Sequence, residues 1–384
     1  MAGDPHEDVL KALAGRGRLR ALTTTRGHDF TSNDYLALAE SPALRDAVAA
    51  ALARGVPLGA GGSRLLRGNH PEHEALEEEA AAFFRSQTAL FFPTGFAANA
   101  AIAATLPRRN DLIVHDALIH ASFRDGLNPE RVAAVETPHN DVGAIHDAIV
   151  HWRAHGGRGR PWIAVETLYS MDGDRAPLAE LAALAAQHEA MLILDEAHAT
   201  GVYGPDGRGL GADLEGQENV ISLHTCGKAL GAMGALICLP RALRDFMVNR
   251  GRSFIYSTAP SPLIAAAVRA ALKISAGATQ ERAQLAALVR HVGNLMQSHL
   301  GIAASGSQIQ PIVIGSDVRA IAIATALQAR GYDIRAIRPP TVPEGTARLR
   351  LALTLHADTQ ILDCLFTDLA SEMKTVLHQS PVRG

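Results

Sequence analysis

The chain has 384 residues, of which 47 % are hydrophobic and 20 % charged, a composition that supports a large core and excludes a disordered protein. Lys+Arg at 36 against Asp+Glu at 39 leaves a formal net charge of −3, so general affinity for nucleic acid or anionic membrane is not expected. No apolar run approaches the ~20 residues of a membrane span, and the length fits about two lobes.

In chain order, the polar head to about Leu38 reads as an arm, within domain limits of 1–40. Residues 41–276 read as a large domain in which apolar strand-like runs alternate with helical ones. The runs are Thr88–Phe92, Leu112–His115, Val132–Val135, Trp162–Val165, Met191–Asp195, Val220–Leu223 and Ala235–Leu239. Helical patterns lie between several of them, such as His73–Arg85 and Pro177–Glu189. That alternation predicts an α/β domain with a mostly parallel sheet covered on both faces. From 277 to 384 the texture changes to a smaller α+β domain. It runs through a helical pattern over Gln280–Leu300, a strand at Ile309–Ile314, a helix near Val318–Arg330 and an alternating run at Ala347–Thr354.

Cys226, Cys238 and Cys364 fit no zinc spacing and no disulfide framework, and the N-terminus has no signal-peptide core, which points to the cytoplasm. The histidine pairs His151/His155 and His70/His73 lack a third ligand nearby and read as surface or packing residues, so no metal is expected. Gly59–Arg64 fails the dinucleotide fingerprint because Arg64 holds its last glycine position. The DEAH letters at Asp195–His198 would suit a helicase only with an upstream phosphate loop. The one Gly-Lys pair, Gly227-Lys228, lies downstream and has Ser222 in place of the first glycine.

Amine chemistry has few places to reside, because only Lys11, Lys228, Lys273 and Lys374 are lysines and the other basic residues are arginines. Lys228 follows an apolar strand in Thr225-Cys226-Gly227-Lys228; alone it could be an exposed loop lysine. Asp195 closes the strand Met191–Asp195, at the carboxyl end where open α/β sheets bind ligands, although a capping role is the plain alternative. Thr94-Gly95-Phe96 turns a strand into a helix, which suits an anion at the helix N-terminus and equally suits a merely tight turn. Cys226 reads as a small packing residue.

A phosphate-type turn, then an aspartate, then a lysine, each after a strand, resembles fold-type I pyridoxal-phosphate enzymes. The likeness narrows to the α-oxoamine synthase family through Ser32-Asn33-Asp34-Tyr35-Leu36, Gly61-Gly62-Ser63-Arg64, Ser170-Met171-Asp172-Gly173-Asp174, Asp195–Gly201, Thr225-x-Gly-Lys228 and Phe254–Thr258. These six motifs stand in order between about residues 30 and 355. Ala336–Pro343 and Gly345–Arg350 are similar to the members that join L-alanine to a pimeloyl thioester for biotin biosynthesis. A departure is Ala37, where the family often has glycine.

The resemblance implies a pyridoxal 5'-phosphate cofactor, fold type I, and an acyltransferase acting as a homodimer with shared active sites. It implies that Lys228 anchors the cofactor covalently, that Asp195 pairs with its ring nitrogen and that His198 binds its ring oxygen. His120 would lie on the ring face and touch substrate. Gly95, Phe96 and Thr225 would serve the phosphate side, with Ser170 against the cofactor and Ser257 and Thr258 reaching the neighbouring subunit's phosphate. Arg350 with Arg348 would grip the amino acid carboxylate and Asn33 would bind substrate, while Arg18, with Arg20 as second choice, and Thr341 would contact the acyl substrate. Rival expectations are a family member that uses glycine or serine with another acyl-CoA, and a cofactor-fold scaffold that only binds. The intact Lys228, Asp195 and His198 argue against the scaffold.

Overall fold

The computed structural model describes residues 4–24 and 26–378. The strands in chain order are β1 (His28–Asp29), β2 (Thr88–Phe92), β3 (Leu112–Asp116), β4 (Ala133–Thr137), β5 (Pro161–Glu166), β6 (Met191–Asp195), β7 (Val220–Thr225), β8 (Ala235–Leu239), β9 (Ile309–Gly315), β10 (Tyr332–Asp333), β11 (Ala336–Ile337) and β12 (Ala347–Ala352). The chain divides into two units, one built from Leu36–Ser170 and Arg175–Arg282, the other from the segments up to Tyr35, Met171–Asp174 and onward from Ala283.

The larger unit holds a seven-stranded sheet in the order β2-β8-β7-β6-β5-β3-β4. All neighbours are parallel except β8, which runs antiparallel to both β2 and β7. Every residue of β2, β3, β5, β6 and β8 is buried, which explains their unbroken apolar runs. β4, at the sheet edge, is largely exposed, and its span lies two residues further along at its end than the apolar pattern suggests. Ile102, Phe123 and Ile193 belong to one buried apolar cluster, and Val114, Ile149 and Leu192 to another.

The helix Pro71–Phe84 starts with a proline after its N-cap His70, whose ring accepts the Glu72 N–H while His73 accepts the His70 N–H. That pair of histidines therefore caps a helix. His151 and His155 stack on each other at 4.1 Å, the second bonded to the backbone oxygen of the first. Ala37 adopts φ 53°, the left-handed region that glycine enters without strain.

In the smaller unit β9, β12 and β11 form an antiparallel sheet, and β1 from the head pairs in parallel with β10. The head also carries a helix, Pro5–Gly15, capped by Asp4. The helical stretch read over Gln280–Leu300 is regular over Thr279–Leu295, then widens to a π-helical turn at Met296–Leu300. It ends at Gly301 with φ 66°. Among the described residues no helix is long and apolar enough to cross a membrane.

Candidate active site

Parallel pairing brings the carboxyl ends of β5, β6 and β7 side by side, with Glu166 in register with Asp195 and Asp195 with Leu223. Just beyond these ends lies a cavity of about 290 Å³, close to the lower limit for ligand pockets. Its walls include Gly95, Phe96, His120, Asp195, His198, Thr225 and Lys228, seven of the residues named from sequence.

Lys228 Nζ lies 2.8 Å from Nε2 of His198. The Asp195 carboxylate is 5 % exposed and accepts two hydrogen bonds, from Asn99 Nδ2 at 2.6 Å and from the Ala197 backbone N–H at 2.9 Å. Each carboxylate oxygen keeps a further lone pair for a cationic N–H. Asn99 also donates to Ser122 Oγ at 3.1 Å, and Ser122 contacts His120 Nδ1 at 2.7 Å. The Ser122 backbone N–H donates to the same ring nitrogen, so Nδ1 is an acceptor and the proton belongs on Nε2. Burial holds the His120 pKa below its ordinary value, which keeps the ring neutral.

At the other end of the cavity Thr94 caps the helix Gly95–Thr105, accepting the Ala97 N–H. The backbone there is positioned for an anion. A Cβ on Gly95 would stand 2.6 Å from Cγ2 of Thr225, whose hydroxyl is tied to the Ala197 carbonyl. Gly95→Ala is therefore expected to cost about 1–3 kcal/mol of stability through overpacking. Thermal unfolding would show a lowered midpoint, and adding Thr225→Ser, which removes the methyl group, should restore most of it. A Gly95→Ala midpoint equal to wild type would refute the close approach.

Ser170 is not among the residues lining this cavity; its backbone N–H donates to Glu166. Ser257 and Thr258 follow the short helix Arg252–Ile255 in the same unit and are also not among the lining residues. The remaining candidates belong to the smaller unit. Arg350 donates to Asn33 Oδ1 at 3.0 Å, whereas Arg348 is ion-paired with Asp172 at 2.6 Å. Arg18 is held between Asp317 and Glu344, each at 2.7 Å, and Arg20 donates to the Thr341 hydroxyl at 3.3 Å. Arg18 and Arg20 line one cleft with Leu10, Leu13, Pro340 and Val342.

Asn99, Ser122 and Glu166 complete the site and are absent from the candidates drawn from sequence. Asn99 had a legible signal, being the one polar residue between Gly95 and Ala104. Among the described residues, Glu215, His224 and Cys238 approach with metal-ligand atoms within 4.8 Å. His224 already bonds Glu215 and Thr200, each at 2.8 Å, and stacks on Phe84. Burial pushes the Cys238 thiol well up, away from the thiolate a metal requires.

An amine and a carboxylate on adjacent strand ends, with a helix N-terminus and a cradle open only to glycine, suit an aromatic phosphate that carries an aldehyde. The profile of the aminotransferase class I and II family matches residues 26–363. The chain is 42 % identical to an 8-amino-7-oxononanoate synthase of Anaeromyxobacter sp. (strain K) over 92 % of its own length and 88 % of that protein's. Its fold is similar to a serine palmitoyltransferase of Sphingomonas wittichii, with TM-score 0.87, 26 % identity and 97 % of each chain covered. It is also similar to the 8-amino-7-oxononanoate synthase of Francisella tularensis, with TM-score 0.76, 28 % identity and 91 % and 98 % covered. The chain belongs to the class I and II aminotransferase family, with a fold-type I α/β architecture. Within it, the protein is a pyridoxal-phosphate-dependent acyltransferase of the 8-amino-7-oxononanoate synthase type, and pyridoxal 5'-phosphate is its cofactor.

Proposed function

We propose that the protein condenses L-alanine with a pimeloyl thioester, releasing carbon dioxide and the thiol, to form 8-amino-7-oxononanoate in biotin biosynthesis. The observation that carries this reading is the single cavity holding Lys228, His198, Asp195 and His120, in a chain about two-fifths identical to synthases of that name. When bound, the cofactor supplies a ring that accepts the negative charge developing on the amino acid's α-carbon.

Lys228 would anchor the cofactor, and its Nζ would take the amino acid's α-proton. His198, whose Nε2 lies 2.8 Å from that amine, would bind the ring oxygen. Asp195, whose carboxylate accepts two hydrogen bonds, would pair with the ring nitrogen and hold it charged. Neutral His120, in the cavity wall, would lie against the ring face and touch substrate. Gly95, Phe96 and Thr225 hold the phosphate, with Ser170 nearby, and Ser257 and Thr258 serve a second subunit, so the active form is a homodimer. Arg350, beside Asn33, grips the amino acid carboxylate. Arg348, which is ion-paired with Asp172, stands on the same strand and is the second guanidinium for that carboxylate. Arg18, Arg20 and Thr341 receive the far end of the acyl chain. Two carboxylates occupy Arg18, which favours Arg20 as the cation for the pimeloyl terminus.

The test is a substrate panel of L-alanine, glycine and L-serine against pimeloyl-, succinyl-, acetyl- and palmitoyl-CoA. L-Alanine with pimeloyl-CoA is expected to give the highest kcat/KM. Arg20→Ala should raise KM for pimeloyl-CoA, and should do so less for its methyl ester, whose charge is gone. Palmitoyl-CoA outrunning pimeloyl-CoA would reject the assignment.

A further inference from the structure

Glu166 ends β5, lines the cavity and has no part in the roles above. It is 2 % exposed. Its Oε2 accepts the Ser170 backbone N–H at 3.0 Å, while Oε1 is buried with no hydrogen-bond partner. An unpaired buried carboxylate oxygen is costly, and parallel register sets this one beside Asp195. Two neighbouring buried carboxyls do not both ionise readily. Asp195 is the better-supported anion, with two donors against one for Glu166. The shared burden therefore leaves a proton on Glu166. Since Oε2 is already an acceptor, the proton belongs on Oε1, the oxygen that faces no protein acceptor. The charged and titratable groups around it are Asp195 on β6, Lys228 beyond β7 and Asp116 at the end of β3, with His120 and His198 in the cavity wall.

We propose that Glu166 acts as a neutral carboxylic acid whose Oε1–H donates a hydrogen bond to an anionic oxygen of the molecule held in the cavity. The proposal rests on reading this cavity as the cofactor site. Two oxygens share that chemistry, the cofactor's ring oxygen and the amino acid's carboxylate. A neutral donor binds either one without adding a second negative charge beside Asp195. Burial, reinforced by the Asp195 charge, pushes the Glu166 carboxyl up to about 8, so the donor form persists at neutral pH and is lost above it.

Glu166→Gln keeps the size of the side chain, an acceptor for Ser170 and an N–H donor, but cannot ionise. Glu166→Leu removes the donor. In cofactor-free protein, the infrared difference between wild type and E166Q is expected to show the carbonyl stretch of a protonated carboxylic acid at neutral pH. That band should fade as the pH rises through about 8. The subtraction cancels Glu196, another buried carboxyl, which burial pushes up to about 7. No such band at neutral pH would overturn the proposal.

Equilibrium binding of pyridoxal 5'-phosphate, then of L-alanine, glycine and L-serine, supplies the second readout. If the ring oxygen is the acceptor, E166L should bind cofactor about tenfold more weakly, the loss of about 1.4 kcal/mol, and show a shifted visible absorbance before any amino acid is added. If the carboxylate is the acceptor, cofactor binding stays unchanged and amino acid half-saturation rises by a similar factor. E166Q should remain close to wild type in both. E166L matching wild type in both measurements would also overturn the proposal. Neither readout involves a thioester, so a wrong acyl assignment would leave them unchanged.

Discussion

Lys228→Ala is expected to fold, to bind pyridoxal 5'-phosphate only reversibly, and to lose at least about 10²–10⁴ in turnover, the usual contribution of a positioned proton-transfer group. Borohydride treatment of the wild type followed by peptide mapping should place the label on Lys228 alone, and the variant should carry none. The surroundings of the other lysines support this expectation. Lys11 lies 3.6 Å from both Glu7 and Asp8 on an exposed helix, and Lys273 lies 3.5 Å from Glu79. Lys374 belongs to the last helix, Thr359–His378. Lys228 alone of the four lines the cavity. Label on any of the other three would end the assignment. Folding should survive because Lys228 is only half-buried and follows β7 in a turn, so no core contact is deleted.

Asp195→Asn should retain cofactor and lose about 10²–10³ in kcat, the typical cost of removing one preorganised electrostatic contact. The amide can still accept the Ala197 N–H, but its other end would place an NH₂ against the Asn99 NH₂ that now donates at 2.6 Å. It also removes the negative charge that helps to keep Glu166 protonated, so Glu166 should ionise at lower pH in this variant. Exchange of the amino acid α-proton with solvent measures the charge effect directly. Near-normal exchange in Asp195→Asn would show that the aspartate does not hold the ring charged.

The strands at Thr88–Phe92, Met191–Asp195 and Ala235–Leu239 can be read from sequence to the residue, because burial on both faces leaves an uninterrupted apolar run. The reversed direction of β8 cannot, since its run looks the same in either orientation. β1, β10 and β11 are two residues each, too short to carry a period. Lys228, Asp195 and Gly95 stand out locally, each at a strand end with a telling neighbour. Glu166 does not: a glutamate at a strand end is ordinary, and its meaning comes from lying beside Asp195, 29 positions away in the chain. Arg18 shows the same limit. Its charge is plain in the sequence, but its partners Asp317 and Glu344 are brought to it only by the fold.

The sheet order has a consequence for how the chain acquires its cofactor. β8 is the strand that joins β2 to β7, so the turn at Gly95 and the lysine at 228 are held in one sheet only once residues 235–239 have been inserted between those two strands. A nascent chain must therefore be made past Leu239 before the cavity can close. The antiparallel pairing of β8 with β2 joins segments far apart in the chain, and non-local pairings of this kind are slow to form. Capture of the cofactor thus reports closure of the whole sheet, and a chain stalled before β8 would expose the edges of β2 and β7 to aggregation instead.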